Sequence, residues 1–287
     1  MKSMEVQPES KIGTGRPLPS TPVLPLICLD VDGTLVGSRG VPSDELWASA
    51  AQARDRGQRL TLCTARLAAG PTRTWAEQLD PEGWHIFHTG GARWNPATDE
   101  VRTQALPDDA VAACEAVAAA NGWVFESYSW DDYVVNVENE LSIGHAALLG
   151  LPLPVRPRSA LAGDIVRVQY VVPAAETAAA LAAQPPGASA SAATSPVMPG
   201  VSFVSVTVAG ISKAAAIRTV ADDLGVPLSD VMMVGDGHND LDAIAAVGWG
   251  VAMGNAEPEV IAAARILVGD VDAHGAAQAI DASATLG

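Results

Sequence analysis

Val23-Leu24-Pro25-Leu26-Ile27-Cys28-Leu29-Asp30-Val31-Asp32-Gly33-Thr34-Leu35 is the stretch from which the fold can be read. It is nearly all apolar up to Leu29, then turns abruptly acidic. A short continuous apolar run closed by a glycine turn suits a strand buried on both faces of a parallel sheet. Residues 44–58 follow as a helix, opened by Pro42 and Ser43 and closed at Gly57. Residues 59–63 form a second short apolar strand ending in Thr64, residues 70–78 a helix, and residues 85–88 a strand. That βαβαβ opening predicts an α/β fold with a doubly wound parallel sheet. Ligands of such sheets sit beyond the carboxyl ends of the strands, where Asp30 and Asp32 fall.

The same alternation returns late in the chain. Residues 202–208, 231–234 and 250–253 read as strands, and residues 213–225 and 241–247 as helices. The middle differs. Residues 124–125, 133–137 and 165–172 look like strands, and residues 110–121 and 174–183 look helical. Residues 184–200 are rich in Pro, Ala, Ser and Gly and read as a loop or linker. Residues 1–21 read as a flexible tail. The expected organisation is a discontinuous α/β core over residues 22–90 and 203–287, with an α+β cap over residues 91–202.

Composition narrows the classes. The 287 residues are 48% hydrophobic and 17% charged, enough for a sizeable core. Lys plus Arg is 17 against 33 for Asp plus Glu, a formal net charge of −16. That balance argues against a nucleic-acid partner, which needs a basic footprint, and against docking on anionic membranes. It leaves room for a small anionic ligand, because a few local cations can dominate one cleft. Cys28, Cys63 and Cys114 cannot build a disulfide framework. With no signal peptide legible in residues 1–20 and no apolar run long enough to span a bilayer, a cytoplasmic location is expected.

Four clusters carry chemistry. Asp30 and Asp32 stand two apart at a strand end, with Gly33 allowing the turn. Converging acids repel unless a proton or cation separates them, and Mg²⁺ prefers oxygen ligands. An Asp-Gly turn with a cap is the plainer alternative. Val234-Gly235-Asp236-Gly237-His238-Asn239-Asp240 adds two carboxylates and an amide at a second strand end. Helix capping would explain Asn239 or Asp240, but not Asp236 as well. Thr64, in Cys63-Thr64-Ala65-Arg66, offers a hydroxyl and backbone amides to an anion, or else caps a helix. Lys213 opens a helix whose dipole it opposes, which invites a functional reason, although a solvated surface lysine remains open.

These four clusters, in this order, resemble the haloacid dehalogenase superfamily of phosphohydrolases, over residues 25 to the late 270s. Asp30 to Leu35 match its DxDGTL motif, and Asp236 to Asp240 its GDGxND motif. Gly248 to Ala256 resemble the AMGNA segment of the Cof-like branch. Thr64 and Lys213 stand 149 residues apart, whereas the other gaps hold one helix and one strand each. The cap insertion therefore falls between the second and third motifs, as in that branch.

The resemblance implies Asp30 as nucleophile, forming an aspartyl-phosphate. It implies Asp32 as general acid and then base, with its backbone carbonyl on Mg²⁺. Thr64, with Ala65 and Gly33 beside the phosphate, and Lys213 would hold the phosphoryl group. Asn239 would orient Lys213 or the phosphate. Asp30, Asp32, Asp236 and Asp240 would form or support the metal site. Arg66, Gly91 and His238 would reach substrate. The implied function is an Mg²⁺-dependent phosphatase of a small phosphorylated metabolite, a sugar or polyol phosphate. A phosphomutase or phosphotransferase, or a non-catalytic metabolite-binding protein, are the rival readings. The assembly expected is a monomer or small homo-oligomer.

The sequence departs from the family pattern at Ala65, where Gly is usual, at Ala243-Ile244, and at Gly90, where the hinge usually has Asn. Cys28 and Cys63 read as small core residues. Trp94, Trp130, Asp131, Asp132 and Tyr133 read as cap core with a sugar-binding wall as the alternative. Arg156, Arg158 and Arg167 read as solvated surface cations, with a second anionic group as the alternative.

Overall fold

A computed structural model describes residues 23–195 and 197–287. The tail expected over residues 1–21 lies outside the described residues. In chain order the elements are β1 (Leu26–Leu29), α1 (Asp44–Asp55), β2 (Arg59–Leu62), α2 (Pro71–Leu79), β3 (His85–Phe87), β4 (Ala92–Asn95), β5 (Glu100–Thr103), α3 (Asp108–Asn121), β6 (Val124–Tyr128), β7 (Tyr133–Val135) and α4 (Glu140–Leu149). There follow β8 (Arg167–Pro173), α5 (Thr177–Ala182), β9 (Ala188–Thr194), β10 (Val201–Val208), α6 (Lys213–Leu224), β11 (Val231–Gly235), α7 (Leu241–Ala246), β12 (Trp249–Ala252), α8 (Pro258–Ala263), β13 (Ile266–Leu267) and α9 (Gly275–Ala282).

The first sheet runs β13-β12-β11-β1-β2, and every pairing is parallel. Helices cover both faces, so β1 is buried at all four positions, as its unbroken apolar sequence requires. Leu29 lies level with Val234 on β11 and with Leu62 on β2. That register brings Asp30, Asp236 and Thr64 to one edge of the sheet. One large apolar cluster joins these strands to α1, α2, α6, α7 and α9.

The second sheet, β7-β6-β8-β10-β9, is antiparallel throughout. One face packs on α3 and α5 through Phe125, Val168, Tyr170 and Val204. A third sheet, β3-β4-β5, is an antiparallel meander beside the first.

Several boundaries differ from those expected. Residues 184–200 hold β9, whose Ala/Ser alternation has no hydrophobic contrast and is largely exposed; the ladder to β10 holds it. The boundary placed at 202/203 falls inside β10, which pairs only within the second sheet. The strand read over residues 85–88 stops at Phe87, because His88 (φ 51°) and Thr89 (φ 58°) turn left-handed. β3 joins the parallel sheet through a Cys63–Ile86 bridge rather than a full ladder. Trp94 is buried in the main cluster rather than in the cap, with Trp130 packed against it. The β4–β5 hairpin and α4 were not read from the sequence. Among the described residues no helix is long and apolar enough to cross a membrane.

Candidate active site

The four clusters converge at the carboxyl edge of the parallel sheet. Asp30 directly follows β1, and its amide donates to the Val234 carbonyl at 3.0 Å. Lys213, the first residue of α6, is fully buried and lies between two acids. Its Nζ donates to Asp30 Oδ1 at 2.6 Å and to Asp240 Oδ1 at 2.5 Å. The alternative of a solvated surface lysine is thereby removed. Burial alone would strip its proton, but the two carboxylates hold its pKa above the ordinary lysine range.

Asp240 is also fully buried. Its second oxygen accepts from the amides of Asp236 and Gly237, both at 3.1 Å. The residue thus caps its own turn and anchors Lys213 at once. Asp236 accepts from Thr34 Oγ1 at 3.3 Å and from Asn255 Nδ2 at 3.3 Å. Asn255 also donates to the Gly33 carbonyl at 2.9 Å and accepts from the Val271 amide. Asn255 and Thr34 sat inside the quoted motifs, but no charge or unusual spacing marked them for a role.

Oxygens of Asp30, Asp236 and Asp240 lie within 4.8 Å of one another. Burial pushes the Asp30 carboxyl up to about 8, with Lys213 pulling against it and Asp240 adding to it. Burial and then the Asp240 carboxylate push Asp236 up to about 7. Burial and mutual repulsion thus oppose full ionisation of Asp30 and Asp236 unless a further cation joins Lys213. An all-oxygen donor set of this kind fits a hard divalent cation such as Mg²⁺. Both Asp240 oxygens are already bonded, which fits support rather than direct ligation.

Asp32 points elsewhere. Its carboxylate is 62% exposed and is gripped by Arg66, Nε to Oδ2 at 2.9 Å and Nη2 to Oδ1 at 2.5 Å. It is therefore absent from the three-acid group. Thr64 is buried, and its Oγ1 accepts from the Arg66 amide at 3.1 Å, leaving its own proton free to donate. Gly33 (φ +79°) must lack a side chain, since a Cβ there would lie 2.1 Å from Asp236 Oδ2.

His238 and Asn239 are exposed at the rim, and the His238 amide donates to Glu257 at 3.4 Å. Gly91 is buried and engaged through its backbone with His88 and Gln104. Arg167 was expected on the surface. It is buried instead, with Nη1 donating to the Ala65 carbonyl at 3.0 Å. Arg156 pairs with Asp132, and Arg158 with Asp108 and Glu115, on the cap.

Residues 27–280 match the haloacid dehalogenase-like hydrolase family. The chain belongs to that family, and within it stands with the phosphatases. It is 28% identical over 262 residues, 89% of this chain and 96% of the other, to YxeH of Bacillus subtilis (strain 168), a protein named only as a phosphatase. The 5-amino-6-(5-phospho-D-ribitylamino)uracil phosphatase YcsE of the same organism is 40% identical over 77 residues, 27% of this chain and 31% of that one. Among solved structures, the phosphatase BT1666 of Bacteroides thetaiotaomicron superposes with a TM-score of 0.78 at 23% identity, covering 95% of this chain and 100% of that one. The subclass IIB sugar phosphatase BT4131 superposes with a TM-score of 0.74 at 21% identity, covering 90% and 98%.

Proposed function

We propose that the protein is an Mg²⁺-dependent phosphatase of a small sugar or polyol phosphate, working through an aspartyl-phosphate on Asp30. The observation that supports it best is the buried Lys213 held between Asp30 and Asp240 at the edge where Asp32 stands free of the cluster. A phosphoryl group approaching Asp30 brings negative charge to a carboxylate. Lys213 offsets that repulsion, and the Thr64 hydroxyl donates to a phosphoryl oxygen. An Asp30 oxygen attacks phosphorus, the bond to the leaving oxygen breaks, and Asp32, released from Arg66 and in its acid form, supplies the proton that oxygen needs. Asp32, now ionised, takes a proton from water. That water attacks the phosphorus, releasing inorganic phosphate and regenerating Asp30.

Asp30 and Asp236, with the Asp32 backbone carbonyl, would hold Mg²⁺, and Asp240 and Asn255 would steady them. Bound there, Mg²⁺ would supply positive charge against the phosphoryl oxygens. The polyol preference rests on relatives named for a sugar and for a ribityl phosphate. The three buried free thiols fit a reducing, cytoplasmic setting.

The test is phosphate release from a panel of sugar, polyol, nucleotide and cofactor phosphates, with and without Mg²⁺. Release should require Mg²⁺ and be highest on a sugar or polyol ester. Asp30→Asn should lower it by at least about a thousandfold with the fold intact. Undiminished turnover by Asp30→Asn would rule out Asp30 as nucleophile, and silence of the wild type on every ester would sink the phosphatase reading.

A further inference from the structure

The cap grips the loop after β2 through Trp130, the Tyr128–Tyr133 pair and Arg167, among other contacts. The Trp130 carbonyl accepts from the Ala68 amide at 3.0 Å and from His88 Nε2 at 3.1 Å. Leu67 packs against Tyr128 and Tyr133. Arg167 on β8 reaches the residue between Thr64 and Arg66.

Arg167 is itself held. Its guanidinium carbon lies 3.9 Å from the centre of the Tyr128 ring. The Tyr128 hydroxyl donates to Glu126 Oε2 at 2.6 Å. Glu126 is fully buried and is bonded in turn to His145 at 2.8 Å and Gln169 at 2.9 Å. A buried network in which each member has its partner keeps its geometry. Among the described residues Arg167 Nε has no partner, and the bond from Arg167 to the loop is made by Nη1.

The consequence follows from peptide planarity. The Ala65 carbonyl and the Arg66 amide belong to one rigid plane. Fixing the carbonyl from the cap fixes where the Arg66 N–H points, and that N–H donates to Thr64 Oγ1. We infer that Arg167 is a positioning residue of the phosphate-holding loop, setting the Ala65–Arg66 peptide and through it the Thr64 hydroxyl. This rests on the phosphatase reading, in which Thr64 faces the phosphoryl group. The buried Glu126–His145–Gln169 set then has a role as the footing of Arg167.

Arg167→Met keeps the stem and removes the donor, and Arg167→Lys returns one donor. Three readouts separate the roles: the inhibition constant for inorganic phosphate, which has no leaving group; kcat and KM on p-nitrophenyl phosphate and on a hexose phosphate; and the thermal midpoint. Arg167→Met should weaken phosphate inhibition about tenfold, the scale of one charged hydrogen bond. It should lower kcat/KM on both esters by a similar factor with an unchanged midpoint, and Arg167→Lys should recover part of the loss. Unchanged phosphate inhibition with a KM rise on one ester only would make Arg167 a leaving-group contact and overturn the inference. A lowered midpoint with unchanged phosphate inhibition would reduce it to packing and overturn it too. Should the Met variant not fold, wild-type phosphate inhibition in Arg167→Lys overturns the inference, and inhibition weakened severalfold upholds it. Wild-type protein that neither cleaves these esters nor binds phosphate would fail the phosphatase reading itself.

Discussion

Gly33 shows how little room the site leaves at single residues. The backbone there is left-handed, which costs an L-residue roughly 1–2 kcal/mol. The larger effect is steric, because a Cβ would overlap the Asp236 carboxylate. Gly33→Ala should therefore displace Asp236 and raise the Mg²⁺ concentration for half-maximal turnover by about tenfold, the size of one lost positioned ligand contact. Titrating Mg²⁺ against activity checks this, and a wild-type Mg²⁺ curve would show that the turn yields without moving Asp236. At this scale the sequence was informative where chemistry demands a charge. Strand register brings Asp30 and Asp236 level, the turns that open α6 and α7 bring Lys213 and Asp240 to them, and the motif pattern announced it. Asn255 and Arg167 were not legible. An asparagine bonding a carbonyl looks like any loop asparagine. An arginine whose partner lies 102 positions away carries no local mark.

At the scale of elements, His85 ties β3 to its neighbours. The Leu62 amide on β2 donates to its Nδ1 at 3.1 Å, so Nε2 carries the proton and donates to the Asp80 carbonyl at 2.9 Å. Burial drives its pKa down to about 4 from 6.5. A histidine held neutral stabilises the fold above its unfolded pKa and loses that contribution as pH falls toward the folded value. The window runs from 6.5 down to 4, and the contribution at its top is at most roughly 3 kcal/mol. Asp30 and Asp236 act in the opposite sense, since raised carboxyl pKa values favour the fold at low pH. The difference between variants is therefore the clean quantity. His85→Asn should destabilise the protein at pH 7, and the penalty should shrink at pH 4.5. Urea midpoints at the two pH values measure it, and a penalty independent of pH would show that His85 does not bury neutral. The same element explains one misread boundary. Nothing in His88-Thr89 announces two left-handed residues, which tertiary contacts impose through the bond from the Thr89 amide to the Thr64 carbonyl.

For the whole molecule, the parallel sheet was legible because strands buried on both faces must read as unbroken apolar runs. The second sheet was legible only in part. β9 buries almost nothing, so hydrophobicity could not mark it, and the cap's limits were placed by motif spacing alone. The structure gives a physical criterion instead. Trp94 on β4 is buried in the main cluster, and β4 pairs with both β3 and β5. The Gln104 amide donates to the Gly91 carbonyl at 2.8 Å, returning the chain to the hinge. A Cβ on Gly90 would lie 2.7 Å from the Ser212 carbonyl, so that hinge touches the start of α6. Residues 104 and 210 are thus brought near each other, and a short Gly-Ser linker can join them. Excising residues 105–209 should leave a core that unfolds cooperatively. Excising residues 91–209 also removes Trp94, whose loss from a packed core costs roughly 3–5 kcal/mol. The shorter excision should therefore be the more stable by roughly that margin, and so show the higher urea midpoint. Equal midpoints would mean that the β4–β5 hairpin belongs energetically to the cap and that the boundary near residue 91 stands.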